Sequence, residues 1–131
     1  DASANEGFTT GKPWLPVNEN YKTTTNVSVQ DTADNSILNF VRKMIKLRKD
    51  NKDVLVYGKY TLLDKDNKDV YTYTREAAGK KFLIILNFTK NNAAVETGLD
   101  LSKAKVLLTN YPAASTGGTL KAYEAVIYEI K

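Results

Sequence analysis

The side chains that could do acid–base chemistry in this 131-residue chain are carboxylates and tyrosines, because the sequence contains no histidine and no cysteine. The commonest general base and metal ligand is thus missing, as are disulfides and thiolate chemistry. Two carboxylates can suffice for a glycosidase, provided that they converge across a cleft at roughly 5 to 10 Å. Asp100, Glu124 and Glu129 lie on or beside predicted strands, where we expect them to face solvent. The composition disfavours an enzyme without excluding one.

One polar segment, DKDNKD at residues 64–69, partly matches a calcium-binding loop. Lys68 stands where a ligand is needed, Asp69 stands where the loop needs glycine, and no glutamate follows at the twelfth position. We therefore interpret the segment as a polar hairpin turn. The segment STGGT at residues 115–119 lacks the lysine and the strand-to-helix context of a phosphate-binding loop. We expect no metal and no cofactor.

Tyrosine is frequent in the second half of the chain. The rings could stack on sugar rings, but tyrosine is also common on half-buried sheets, and both interpretations stay open. These tyrosines are Tyr57, Tyr60, Tyr71, Tyr73, Tyr111, Tyr123 and Tyr128.

Two segments match N-glycosylation acceptors, with Asn26 in NVS and Asn87 in NFT. Asn87 ends a predicted central strand, so we discount it. Either site matters only if the protein passes through a glycosylating secretory pathway.

The net charge of +4, from 19 basic and 15 acidic residues, is small, and many of the basic residues lie in one segment. The run VRKMIKLRK at residues 41–49 could form a nucleic-acid-binding face, but a solvated helix face is the favoured interpretation. No apolar run approaches the roughly 20 residues that span a bilayer, and no signal-peptide pattern is visible. We expect neither a nucleic-acid partner nor a membrane partner, and the cellular location stays open.

A helix is predicted over residues 34–50, with Asp34 or Asn35 as its N-cap. Its apolar arc covers roughly half of the circumference, which is wider than a one-sided surface helix needs. We expect this helix to contact two bodies, or to self-associate if one of them is missing. Arg48 falls within the arc and should be paired or snorkel. The arc is defined by Ile37, Val41, Met44, Ile45 and Arg48.

Residues 1–33 show no sustained helical or strand period, which predicts a long loop. A loop of this length is either disordered or part of a larger domain. From Val54 the period changes to that of strands, and KKFLIILNFT at residues 80–89 reads as a central strand. Short strands at roughly ten-residue spacing predict a mainly β fold, an antiparallel sandwich. The other strand segments are VLVYG (54–58), YTLLD (60–64), DVYTYTRE (69–76), AKVLLTNY (104–111) and EAVIYEI (124–130).

Five motifs follow one another in an order that resembles a known family. They are NEGFTTGKPWLPVNENYK (5–22), DNSILNFVRKMIKLRKDN (34–51), VLVYGKYTLLDKDNKDVYTYTRE (54–76), FLIILNFT (82–89) and LKAYEAVIYEI (120–130). The chain resembles the C-terminal end of an alpha-glucosidase or oligo-1,6-glucosidase of the alpha-amylase family, glycoside hydrolase family 13. The resemblance covers nearly the whole chain and is weakest in residues 90–119. Lys68, and Lys121 with Ala122, depart from the usual proline and Arg-Pro.

In that family a (β/α)8 barrel carries catalysis and a Greek-key β-sandwich follows it. The resemblance implies that residues 1–33 belong to the last barrel loop, residues 34–50 to the last barrel helix and residues 54–131 to the sandwich. The family's catalytic Asp, Glu and second Asp lie upstream, so the resemblance implies no catalytic residue in this chain and the rest of the barrel as partner. Phe8 and Trp14 are the site residues that we single out, as contacts to the barrel rim.

Two interpretations from different classes stay open. The chain is a non-catalytic part of a retaining alpha-glucosidase whose sandwich braces the barrel, or it is a free-standing carbohydrate-binding module that uses its tyrosines. A basic nucleic-acid binder is a distant third interpretation, which we do not favour.

Overall fold

The computed structural model describes residues 1–116 and 118–131. The chain divides into two compact units, residues 1–44 and residues 45–131. All of the β-strands lie in the second unit.

The first unit is more ordered than the loop expected for residues 1–33. After turns at Ala4–Gly7 and Glu19–Lys22, helix α1 covers Val27–Thr32. Asn26 caps α1, because its side-chain oxygen accepts a hydrogen bond from the backbone N–H of Val29 at 3.0 Å. Six residues make less than two helical turns, too few to produce a periodic apolar pattern that sequence analysis could detect.

The long helix α2 covers Ile37–Asp50, which confirms the predicted helix but with a later start. Its N-cap is Ser36 rather than Asp34 or Asn35, because the Ser36 hydroxyl accepts the backbone N–H of Asn39 at 3.1 Å. Two short helices flank this predicted helix, since α1 precedes α2 and a further short helix follows it.

The surface of α2 is exposed on its apolar side as well as its basic side. None of its residues is buried, and the exposed apolar side chains include Val41, Met44 and Ile45. Arg48 is exposed and forms no salt bridge with the residues that the structure describes, so the expected pairing is not observed. On the basic side, Lys46 pairs with Asp50 at 2.6 Å.

The segment VLVYG was wrongly expected to be a strand. Residues Lys52–Leu55 form the short helix α3, and the carbonyl of Asn51 accepts the backbone N–H groups of both Val54 and Leu55. The chain then leaves α3 at Gly58, whose backbone approaches Val54 so closely that a Cβ atom would lie 2.4 Å from the Val54 carbonyl oxygen. Only glycine allows this exit without a shift of the backbone.

The fold class is confirmed as mainly β, with antiparallel strands in two sheets. The larger sheet has the order β1-β2-β3-β7-β5 and the smaller one pairs β4 with β6. β3 is the central strand, as predicted, and the chain returns to place β7 between β3 and β5. The strands are β1 Lys59–Leu63, β2 Val70–Ala77, β3 Lys80–Asn87, β4 Ala93–Ala94, β5 Lys105–Thr109, β6 Thr119–Leu120 and β7 Ala125–Ile130.

Each face of the large sheet carries its own hydrophobic core, because successive side chains along a strand point to opposite faces. On the sandwich face, Leu83, Ile85 and Val126 pack with Ala93 and Leu120 of the small sheet. On the opposite face, which we call the helix face, Phe82 and Ile84 pack with Val54 of α3. This two-sided burial explains why β3 reads as a nearly continuous apolar run.

Candidate functional site

The three candidate carboxylates have different surroundings in the structure. Asp100 is exposed, and its carboxylate accepts the backbone N–H of Ser102 at 2.8 Å. Hydrogen bonds from Ser102 lower the pKa of Asp100. Glu129 lies half-buried on β7, whereas Glu124 is fully buried, so the expectation that Glu124 faces solvent was wrong.

Glu124 holds the loop before β6 to the start of β7. Its carboxylate accepts the backbone N–H of Ser115 at 2.7 Å, the Ser115 hydroxyl at 2.6 Å and the backbone N–H of Lys121 at 2.8 Å. Burial by itself raises the pKa of Glu124, but these three bonds outweigh it and the pKa lies below its usual value. The group is an ionised structural anchor.

The segment DKDNKD is a hairpin turn, as interpreted from the sequence. The Asp64 carboxylate accepts the side-chain amide of Asn67 at 2.7 Å and the backbone N–H of Glu96 at 3.2 Å. The Asn67 oxygen accepts the backbone N–H groups of Asp69 and Val70, both at 3.0 Å. Within residues 1–116 and 118–131, no group of three or more acidic, histidine or cysteine side chains could hold a metal ion.

Both glycosylation motifs have buried asparagines with structural roles. The Asn26 amide donates to the Tyr21 carbonyl at 2.7 Å while its oxygen caps α1. The Asn87 amide donates to the carbonyls of Asn91 and Lys121, both at 2.8 Å. Neither amide nitrogen is accessible for modification in this fold.

Three of the candidate tyrosines lie together on the helix face, near the β1 edge of the sheet. We call Tyr60, Leu62, Tyr71 and Tyr73 the tyrosine patch. Tyr60, Leu62 and Tyr71 are each 42–43% exposed, and Tyr73 is half-buried. The Tyr73 ring lies 5.3 Å from that of Tyr60 and 5.2 Å from that of Tyr71, in tilted arrangements. The hydroxyls of Tyr60 and Tyr71 are hydrogen-bonded at 2.7 Å, which raises the pKa of Tyr60 to about 12.

The other candidate tyrosines do not join this patch. Tyr128 is buried and bonds to the Ser115 carbonyl, and the Tyr111 hydroxyl donates to the Ala122 carbonyl at 2.8 Å. Tyr57 and Tyr123 are exposed singly. Among the described residues, the candidate tyrosines thus give one cluster, which lies on the helix face.

Arg75 of β2, which the sequence analysis did not single out, binds α3 to the sheet. Its guanidinium donates to the carbonyls of Leu55 at 3.2 Å, Val56 at 3.1 Å and Gly58 at 3.1 Å. These carbonyls lie at the last residue of α3 and in the turn that follows it, where acceptors left unpaired by the helix favour a cationic donor. The signal was present in the sequence, because strand alternation places Arg75 on the same face as Tyr71 and Tyr73.

Phe8 and Trp14, the two residues singled out from the N-terminal segment, are 86% and 91% exposed. The structure places them in the first unit. Phe8 lines a cavity of about 190 Å³ together with Asn26, Gln30 and Leu38, whereas Trp14 does not.

Comparison with known proteins divides the chain between α3 and β1. The family model described as alpha amylase, catalytic domain, matches residues 1–58, and the model described as maltogenic amylase, C-terminal domain, matches residues 60–127. The break falls at Lys59, where β1 begins.

Individual relatives match along the entire chain. The oligo-1,6-glucosidase of Bacillus cereus is 36% identical over 100% of this chain and 24% of its own length. The alpha-glucosidase of Schizosaccharomyces pombe is 34% identical over 99% of this chain and 23% of its own length. A solved structure of the Bacillus licheniformis trehalose-6-phosphate hydrolase superposes with a TM-score of 0.83 at 32% identity, over 98% of this chain and 24% of the other. The chain therefore spans about a quarter of the length of the relatives that it matches.

Proposed function

Since the chain belongs to the alpha-amylase family of glycoside hydrolases, we propose that it serves as the non-catalytic C-terminal part of an alpha-glucosidase or oligo-1,6-glucosidase. In this proposal the β-sandwich braces the catalytic barrel. The barrel is the partner, and it supplies the two carboxylates of a retaining mechanism that hydrolyses terminal α-glucosidic bonds.

The observation that carries the proposal is the attachment of α3 to the sheet. Residues 45–58 match the catalytic-domain model, yet they belong to the same compact unit as the sandwich. Val54 fills the core on the helix face and Arg75 binds the carbonyls that follow it. A sandwich that holds the end of the catalytic-domain segment in this way restricts the motion of that segment.

We propose the same division of the chain that the resemblance implies. Residues 1–33 would belong to the last barrel loop, residues 34–50 to the last barrel helix and residues 54–131 to the sandwich. Loops that follow barrel strands lie on the catalytic face, so Phe8 and Trp14 would contact the barrel rim there. Their high exposure supports this role, because such side chains bury 150–250 Å² each, on the order of several kcal/mol, when a partner covers them.

Two measurements test the proposal. The 131-residue chain should show no turnover of 4-nitrophenyl α-glucoside or isomaltose, and measurable turnover that purifies with the chain would refute a non-catalytic role. The gene should continue upstream of Asp1 in the same reading frame into a barrel. The full-length product should then hydrolyse these substrates; an inactive full-length product would contradict the proposed parent activity.

A further inference from the structure

Lysine side chains gather at one end of the large sheet, where β1, β3 and β5 begin and β2 and β7 end. In the sequence these lysines are scattered between positions 59 and 131, so no local run of charge reveals them. The antiparallel register alone brings them together. We call the following residues the lysine end: Lys59, Lys80, Lys81, Lys103, Lys105 and Lys131.

The lysine end holds the excess positive charge of the chain. The strands carry two acidic residues there, Glu76 and Glu129, so the six lysines exceed the acidic residues by four. The net charge of the whole chain is also +4, and the remaining charges therefore balance. Five of the lysines are exposed, and within the described part of the chain only Lys81 forms a salt bridge, with Glu76 at 3.8 Å. Ammonium groups concentrated in this way produce a local positive potential that attracts an anionic partner.

The pattern of charges favours an acidic polypeptide over a nucleic acid or an anionic lipid surface. The lysine end contains no arginine, the residue whose planar guanidinium makes bidentate contacts to phosphates. The two glutamates stand among the lysines, since Lys59 pairs with Glu76 and Lys105 pairs with Glu129 in the register. A uniformly anionic surface would repel these carboxylates, whereas a polypeptide can place a neutral or basic residue opposite each of them.

The width of the sheet sets the length of segment that fits. From β1 to β5 the five strands span roughly 19 Å, at about 4.8 Å between neighbouring strands. An extended segment of about six residues covers this distance, at about 3.3 Å per residue. We propose that the lysine end binds an extended acidic segment of a partner protein. This inference goes beyond the proposed function, because neither the hydrolysis nor the bracing of the barrel involves such a segment.

Fluorescence anisotropy with a labelled octaglutamate peptide tests the proposal in the full-length product and in the 131-residue chain. We expect saturable binding by both proteins at low ionic strength. Affinity should fall at least about tenfold between about 0.05 and 0.3 M NaCl, because salt screens exposed charges. Absence of saturable binding would overturn the proposal. Binding by the 131-residue chain alone would also overturn it, since the rest of the full-length product would then cover the lysine end.

Two double variants with the same change of net charge locate the binding surface. Lys80→Glu with Lys103→Glu reverses two exposed charges at the lysine end, and each reversal replaces an attraction with a repulsion. We expect this variant to bind the peptide at least about tenfold more weakly. The control, Lys65→Glu with Lys68→Glu, reverses two exposed charges in the turn at the opposite end of the sheet and should weaken binding less than about threefold. Equal losses would mean that only the net charge matters and would overturn the proposal.

Competition identifies the class of partner. A DNA duplex or phosphatidylserine vesicles that displace the peptide at a lower concentration of charged groups than unlabelled octaglutamate would overturn the assignment to an acidic polypeptide. Melting temperatures of the two double variants within a few degrees of each other exclude unfolding as the cause of a difference in affinity. Hydrolysis of isomaltose plays no part in these readouts, so a failure of this inference leaves the proposed function intact.

Discussion

Replacement of Arg75 is the sharpest test of how the sandwich holds the segment that precedes it. Arg75→Gln removes a charged donor that bonds three carbonyls of α3 and its exit turn. A hydrogen bond to a charged group contributes about 1.5–3 kcal/mol, but these three share one half-buried guanidinium, and water can replace part of them. We therefore expect the free energy of unfolding of the second unit to fall by about 2–4 kcal/mol.

Urea unfolding followed by far-UV circular dichroism measures this loss, with hydrogen exchange as a local readout. The backbone N–H of Gly58, bonded to the Val54 carbonyl at 3.1 Å, should exchange faster in the variant. Trp14 is the sole tryptophan and lies in the first unit, so its fluorescence should report little of the change. Arg75→Lys keeps the charge but not the planar fork of donors, and we expect it to recover less than half of the loss.

The matched control is Arg48→Gln, which removes an exposed arginine that has no salt bridge within the described part of the chain. It should change the free energy of unfolding by less than about 0.5 kcal/mol. If Arg75→Gln were as mild as this control, the three bonds would not stabilise α3, and the bracing argument would lose its main support.

Four further changes have outcomes that the structure determines. Because hydrogen bonds hold the pKa of Glu124 below its unfolded value of about 4.3, its contribution is complete above that pH and is lost as pH falls through the folded pKa. Glu124→Gln should thus lower the free energy of unfolding by about 1–3 kcal/mol at pH 7 and weaken the fall of Tm at acidic pH. An unchanged dependence of Tm on acidic pH would refute this role. The buried hydroxyl of Thr72 has no hydrogen-bond partner among the described residues, so Thr72→Val should raise stability by about 1 kcal/mol in urea unfolding, and a loss would mean that the hydroxyl is bonded. Ala78 has a φ of 51° in the turn between β2 and β3, a left-handed conformation that asparagine adopts more readily than alanine. Ala78→Asn should therefore raise the free energy of unfolding by about 0.5–1 kcal/mol, and a decrease would contradict this. The exposed apolar side of α2 should make the 131-residue chain self-associate in sedimentation velocity, and Met44→Glu should restore the monomer; a wild-type chain that stays monomeric at high concentration would contradict this.

Local sequence patterns determined the elements that have a clear period. The apolar series at spacings of three and four predicted α2, and the continuous apolar run from Phe82 to Leu86 predicted a central strand. Both followed because the 3.6-residue and two-residue periods reflect which faces are buried. The ordered motifs, with the absence of histidine and cysteine, also predicted a non-catalytic part of a glycoside hydrolase. The family matches confirm the family.

The tertiary structure alone decided the roles that depend on distant partners. Val54 lies in a run with strand-like composition, but Asn51 and Arg75 hold that run as a helix on the sheet. Glu124 looked exposed by alternation, yet three donors from the preceding loop and turn bury it. Propensity and periodicity describe neighbours along the chain, whereas a buried carboxylate or a bound helix end is stabilised by groups that only the fold brings within hydrogen-bond distance.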